Sequence, residues 1–122
     1  MREAEHMEVF NNDVVLFDRD EGDERQTVLC RMLQDGALVV ECITAGEVTR
    51  AAFGRDAHRE SLQVAKAGAQ HLAEYFHVEE PSMLLGVLRL EFTGEDSFVR
   101  MRGLFDRLGI AYDAVEAASG ER

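Results

Sequence analysis

The sequence predicts an α+β protein: an antiparallel sheet of three to five strands, a meander around the hairpin at residues 25–43, with two or three C-terminal helices packed on one face. Two observations carry this. Asp35-Gly36 separates two apolar runs, RQTVLCRML and ALVVECI, a strong local hairpin signal. In the last third, apolar residues recur at spacings of three and four, the helical period. Strands followed by helices make an α+β order rather than alternating βαβ units.

The hairpin register follows from side-chain segregation. A two-residue loop at Asp35-Gly36 sets Cys30 opposite Glu41 and Arg31 opposite Val40, which mixes both faces. A three-residue loop, Gln34-Asp35-Gly36, pairs Leu33 with Ala37. Val28, Cys30 and Met32 then face Cys42, Val40 and Leu38, and that face is wholly apolar. The other face holds Leu29, Arg31 and Leu33 against Glu41, Val39 and Ala37. A half-buried sheet favours this segregation. Gly36 then takes the left-handed position of a G1 bulge, which glycine enters at least cost.

Ahead of the hairpin, DVVLFD at residues 13–18 is a strand, and the DRDEGDE linker turns at Gly22. After it, residues 44–56 form a connection with glycines at 46 and 54, and EVTRAAF between them fits two helical turns. Residues 58–77 admit two readings. Leu62, Ala65, Ala69, Leu72, Ala73 and Phe76 fit a helical face, while Ser61-Leu62-Gln63-Val64 fits a strand with a helix from Ala67 onward. Gly68 costs an uninterrupted helix ~1 kcal/mol.

Pro81-Ser82 suits a helix start, with Ser as the cap. Leu84, Leu85, Leu88 and Phe92 share one face of that helix, with a strand through LLGVLRLEF as the rival reading. Thr93 reads as the next N-cap, with Asp96 in a capping-box position. Phe98, Met101, Phe105 and Leu108 form the core face of the last helix, and Gly109 ends it. Residues 110–115 alternate and return to the sheet. The chain is expected to be one domain, with flexible ends at 1–8 and 117–122.

The layout of strand, Asp-Gly hairpin, short connection, strand and helix, followed by Leu88-x-x-x-Phe92, Thr93-Gly94-Glu95-Asp96-Ser97-Phe98 and LFDRLGIAYD, resembles over roughly Asp13 to Val115 a small uncharacterised bacterial family. Its members end a helix in a Gly-Ile-Pro-Tyr motif before a final strand. The matching residues here are Gly109, Ile110, Ala111 and Tyr112, with Ala111 in place of the proline. The resemblance implies a strand at 59–65 and a helix at 67–77. It implies no activity and no catalytic residues.

The net charge is −11. Residues 1–24 carry nine acids against Arg2 and Arg19, which is −7 of the −11. Such a chain repels nucleic-acid phosphates and suits a basic protein partner. No apolar run reaches the ~20 residues of a membrane helix. The acidic N-terminus MREAEHMEVF has no apolar signal region, so a cytoplasmic location is expected.

No motif marks a chemistry. Taking Asp18 as position 1 of a calcium loop puts Leu29 where position 12 needs Glu, so that reading fails. His71 and His77 are six apart and fall on different helix faces, and the other two histidines are His6 and His58. No zinc spacing is present, and no cofactor or metal is expected. Cys30 and Cys42 fall mid-strand on the core face, where cysteine behaves as a small hydrophobe. The leading functional expectation is a small acidic interaction module, of accessory or immunity type, that binds a basic protein or self-associates. The alternative is an enzyme or ligand binder with a pocket beside the 44–58 connection, lined by Glu47, Arg50, Arg55 and His58.

The register also fixes a redox expectation. Cys30 opposes Val40 and Cys42 opposes Val28, so the thiols are diagonal neighbours ~7–8 Å apart. A disulfide needs Cα atoms within about 6.8 Å. Thiol counting on the unfolded, unreduced protein should therefore find both thiols free. Finding neither, without an intermolecular dimer, would refute the register.

Overall fold

The computed structural model describes residues 13–117. Five strands form one antiparallel sheet in sequence order: β1 (Asp13–Asp20), β2 (Glu24–Met32), β3 (Leu38–Gly46), β4 (Ala57–Val64) and β5 (Asp113–Ala117). Helix α1 (Glu47–Phe53) links β3 to β4, and α2 (Lys66–Tyr75), α3 (Pro81–Glu91) and α4 (Ser97–Leu108) lie between β4 and β5. The α+β expectation holds, with five strands and with α2, α3 and α4 on one sheet face. Of the expected flexible ends, residues 1–8 and 118–122 lie outside the described residues, and Ala117 closes β5.

The three-residue hairpin loop is present. Leu33 N–H donates to Ala37 O at 2.8 Å and Gly36 N–H to Leu33 O at 2.9 Å, with Gly36 at φ 93°. Cys30 pairs with Val40 and Met32 with Leu38, and all four side chains are buried. Leu62 and Val64 of β4 extend this face opposite Val40 and Leu38. The helices close over it with Leu72, Leu84, Leu88, Phe98, Met101 and Phe105. Both cysteines are free.

β1 runs two residues past the expected end and carries a bulge between Val15 and Phe17. The bulge lets consecutive residues Leu16 and Phe17 both reach the core, Leu16 fully and Phe17 in part. On the opposite sheet face Glu41 is buried between Arg59 at 3.3 Å and Arg31 at 3.8 Å, and Arg31 also meets Asp13 at 3.3 Å. A buried carboxylate persists where cations and hydrogen bonds compensate its desolvation.

Residues 57–64 are strand and 66–75 helix, which resolves the ambiguous stretch, and 81–91 is helix. Two capping expectations fail. Glu80 rather than Ser82 precedes α3, and Asp96 rather than Thr93 precedes α4. Thr93 Oγ1 instead donates back to Arg89 O at the end of α3, and Asp96 Oδ1 accepts from Arg100 Nε at 3.1 Å. Leu108 is only partly buried, and Leu104 takes the fully packed place on that face. The turn at residues 93–96 consumes part of the expected first turn, so the helix starts later than the capping pattern suggests.

Gly68, in the first turn of α2, is explained by close approach. A Cβ there would sit 2.7 Å from Val64 Cγ1 and 3.0 Å from Ile110 Cγ2. Gly86 in α3 has nothing within 4 Å of the same position. Gly68→Ala should therefore cost ~1–3 kcal/mol of stability despite its better helix propensity. Gly86→Ala should add ~0.5–1 kcal/mol. Chemical denaturation of the two variants checks the pair; equal gains at both sites would refute the close packing of α2 on β4.

Candidate functional site

The even-numbered residues of β4 share the helix-covered face, yet the row changes character along the strand. Val64 and Leu62 are buried under the helices, and Glu60 and His58 follow. Glu60 lies opposite Cys42 on one side and Glu116 of β5 on the other. One ring nitrogen of His58 and one carboxylate oxygen from each of Glu60 and Glu116 lie within 4.8 Å of one another.

Helix α1 roofs this end of the sheet, and Glu24 of β2 pins its start. Glu24 Oε1 accepts from Val48 N at 3.0 Å, and Glu24 Oε2 accepts from Thr49 Oγ1 at 2.6 Å. The carboxylate thus serves orphan N–H groups at a helix start that has no capping side chain of its own. At the other end of α1 the Phe53 ring stacks flat on His58, with centroids 3.7 Å apart and planes 4° apart. His58 is 9% exposed, and its Nε2 has no hydrogen-bond partner. A hollow of about 290 Å³ opens beside it, lined by Phe53, Arg55, His58, Glu116 and Ala117.

The electrostatics follow from this crowding. Burial, then the facing Glu116, push the Glu60 carboxyl above its usual range, and His58 and Arg102 oppose the shift. Burial pushes the Cys42 thiol up, the Gln26 hydrogen bond opposes this, and Glu60 adds to it. Burial pushes Cys30 up to about 12. Neither thiol is poised to act as a thiolate nucleophile.

Of the residues expected at a pocket, Arg55 and His58 line the hollow. Glu47 is exposed at the start of α1, and Arg50 is held by Asp56 at 2.7 Å. Phe53 and Glu116, which also line the hollow, and Glu60, which meets His58 and Glu116 in the cluster, were not expected. The His58-x-Glu60 spacing is a same-face signal once residues 57–64 are known to be strand. Glu116 is brought in only by the β4–β5 pairing.

A second hollow, of about 360 Å³, lies between the hairpin tip, α2 and the start of α3. Met32, Ala69, Ala73, Val78 and Leu84 supply its apolar lining, with Glu74, Glu79 and Lys66 beside them. His77 takes φ 59° after the end of α2, which turns the chain so that Val78 and Glu79 complete one wall. No protein-family model, curated protein or solved structure matches the chain, so the reading of both hollows rests on their own geometry. No helix among the described residues is long and apolar enough to cross a membrane.

The Thr49 hydroxyl bond lowers the Glu24 pKa from its ordinary 4.5, desolvation opposes it, and the Thr49 and Val48 amides add to the lowering. A lowered carboxylate pKa stabilises the fold fully above the unfolded-state value and is lost as pH falls through the folded one. Wild type should therefore exceed Glu24→Gln in stability by a constant amount at neutral pH, and the gap should close below about pH 4.5. Denaturant midpoints across pH test this; a gap that widens in acid would refute the α1 pin.

Proposed function

We propose that this protein is a small acidic interaction module that docks a basic segment of a partner protein in the groove between the hairpin tip, α2 and α3. The observation that carries the reading is an apolar floor with two carboxylates, Glu74 and Glu79, against the single ammonium of Lys66 in the lining of a groove of about 360 Å³. Lysine and arginine side chains match it, with apolar stems for the floor and a cation for the carboxylates. The net charge of −11 favours encounter with a basic surface and opposes nucleic acid. A second reading, ligand binding beside the 44–58 connection, is favoured by the hollow next to His58 and Arg55.

A labelled peptide of alternating leucine and lysine is a direct probe. It should bind the wild-type chain with an affinity that falls as salt rises. The double reversal Glu74→Lys, Glu79→Lys should weaken it about tenfold at low salt, ~1.4 kcal/mol. A matched peptide with glutamate for lysine should not bind. Equal binding by wild type and the double variant, or no binding by wild type, would sink the groove as the docking site.

A further inference from the structure

We propose that His58, Glu60 and Glu116 form a binding site for a divalent transition-metal ion, with zinc the best-matched cation. The proposal is independent of the α2–α3 groove. Three potential ligand atoms, one nitrogen and two carboxylate oxygens, already lie within 4.8 Å of one another. They come from two neighbouring strands, and the β4–β5 pairing sets Glu60 directly opposite Glu116. Two like charges facing across a ladder destabilise the pair unless something compensates them. A bound cation would do so.

The second observation is the histidine. His58 is more than nine-tenths buried, and its Nε2 has no hydrogen-bond partner. A buried polar nitrogen left unsatisfied costs free energy, and native proteins seldom retain one without a reason. The flat stack of Phe53 on the ring holds the imidazole in place. A metal ligand needs that kind of fixed orientation.

The donor set selects the cation class. Calcium and magnesium take oxygen ligands, whereas one imidazole with two carboxylates suits zinc and similar ions. Bonds of about 2.0–2.2 Å place ligand atoms about 3–3.5 Å apart, a spacing that atoms within 4.8 Å of one another reach by small side-chain movements. Glu116 is exposed on the edge strand and has room to supply that movement. The adjoining hollow leaves space for water in the fourth coordination position. Arg55 at the hollow and Arg102 near Glu60 are the cations a metal would have to displace or coexist with.

Calorimetric titration of the full chain with zinc alone at neutral pH tests the site. One strong site should appear, with a raised melting temperature on saturation and no comparable site for magnesium. Glu116→Gln, on the exposed edge strand, should lower zinc affinity at least ~10-fold, as should His58→Phe, which keeps the ring stacked on Phe53. His71→Ala, on α2 outside the cluster, should bind as wild type. No zinc site in wild type, or undiminished binding by Glu116→Gln, would overturn the proposal. If His58→Phe fails to fold, Glu116→Gln decides alone.

Discussion

The register of the β2–β3 hairpin is the constraint on which the rest of the structure depends. It is held by a turn in which Gly36 adopts a left-handed backbone and donates to Leu33 O. That turn puts Val28, Cys30, Met32, Leu38 and Val40 on one face. A slip of one residue would carry Arg31 and Glu41 into the space that α2, α3 and α4 fill. The ion pairs of Glu41 with Arg31 and Arg59 would be lost in the same step. Apolar burial on one face and charge compensation on the other therefore select a single register together. β3 transmits that choice to β4, because Val40 pairs with Leu62 and Leu38 with Val64.

The polar end of the same face follows from where the helices stop. Along β3 the covered row reads Leu38, Val40, Cys42, Thr44, and along β4 it reads Val64, Leu62, Glu60, His58. The β4 row becomes polar at Glu60, opposite Cys42, and the β3 row one pair further on, at Thr44 opposite His58. There the roof is the short helix α1, whose Phe53 stacks on His58. A seven-residue helix gains little from its own hydrogen bonds, so it relies on the Glu24 carboxylate at its start. The hydrogen bonds of β2 thus set the position of a ring that stacks on β4.

Much of this was legible in the sequence, and the parts that were not share a cause. Segregation of apolar residues gave the hairpin, and the 3, 4, 3 spacing of Phe98, Met101, Phe105 and Leu108 gave the α4 face. EVTRAAF is the helix its flanking glycines suggested. Residues 57–64 were ambiguous because a short apolar run carries no decisive period, and pairing with β3 and β5 decides it. The caps at Ser82 and Thr93 were misread because a capping pattern states which residues are able to cap, not which turn precedes the helix. Glu60 and Glu116 could not be joined from sequence, since their meeting depends on where β5 docks after three intervening helices. His58 and Arg55 were legible as pocket residues because they flank a turn beside a sheet end.

The two hollows stand at opposite ends of β4. Lys66, two residues beyond Val64, lines the groove, and His58 lies near the start of the strand. Eight residues of strand, at about 3.3 Å each, separate the ends by more than 20 Å. Glu60, with Glu116 opposite it, stands four residues from Val64, about 13 Å along the strand, so charge changes at Glu74 and Glu79 are still weakened there by a Debye length of about 8 Å at physiological salt. Substitutions at one hollow should thus leave the other's binding unaltered, and their stability effects should add. Coupling between them would require a mechanical route, and β4 is the element common to both. Because β4 is paired on both sides, it offers little freedom to shift without breaking the ladders with β3 and β5. The geometry therefore separates a docking groove at the hairpin end of the molecule from a polar His–Glu–Glu cluster at the other, each able to fail or succeed without the other.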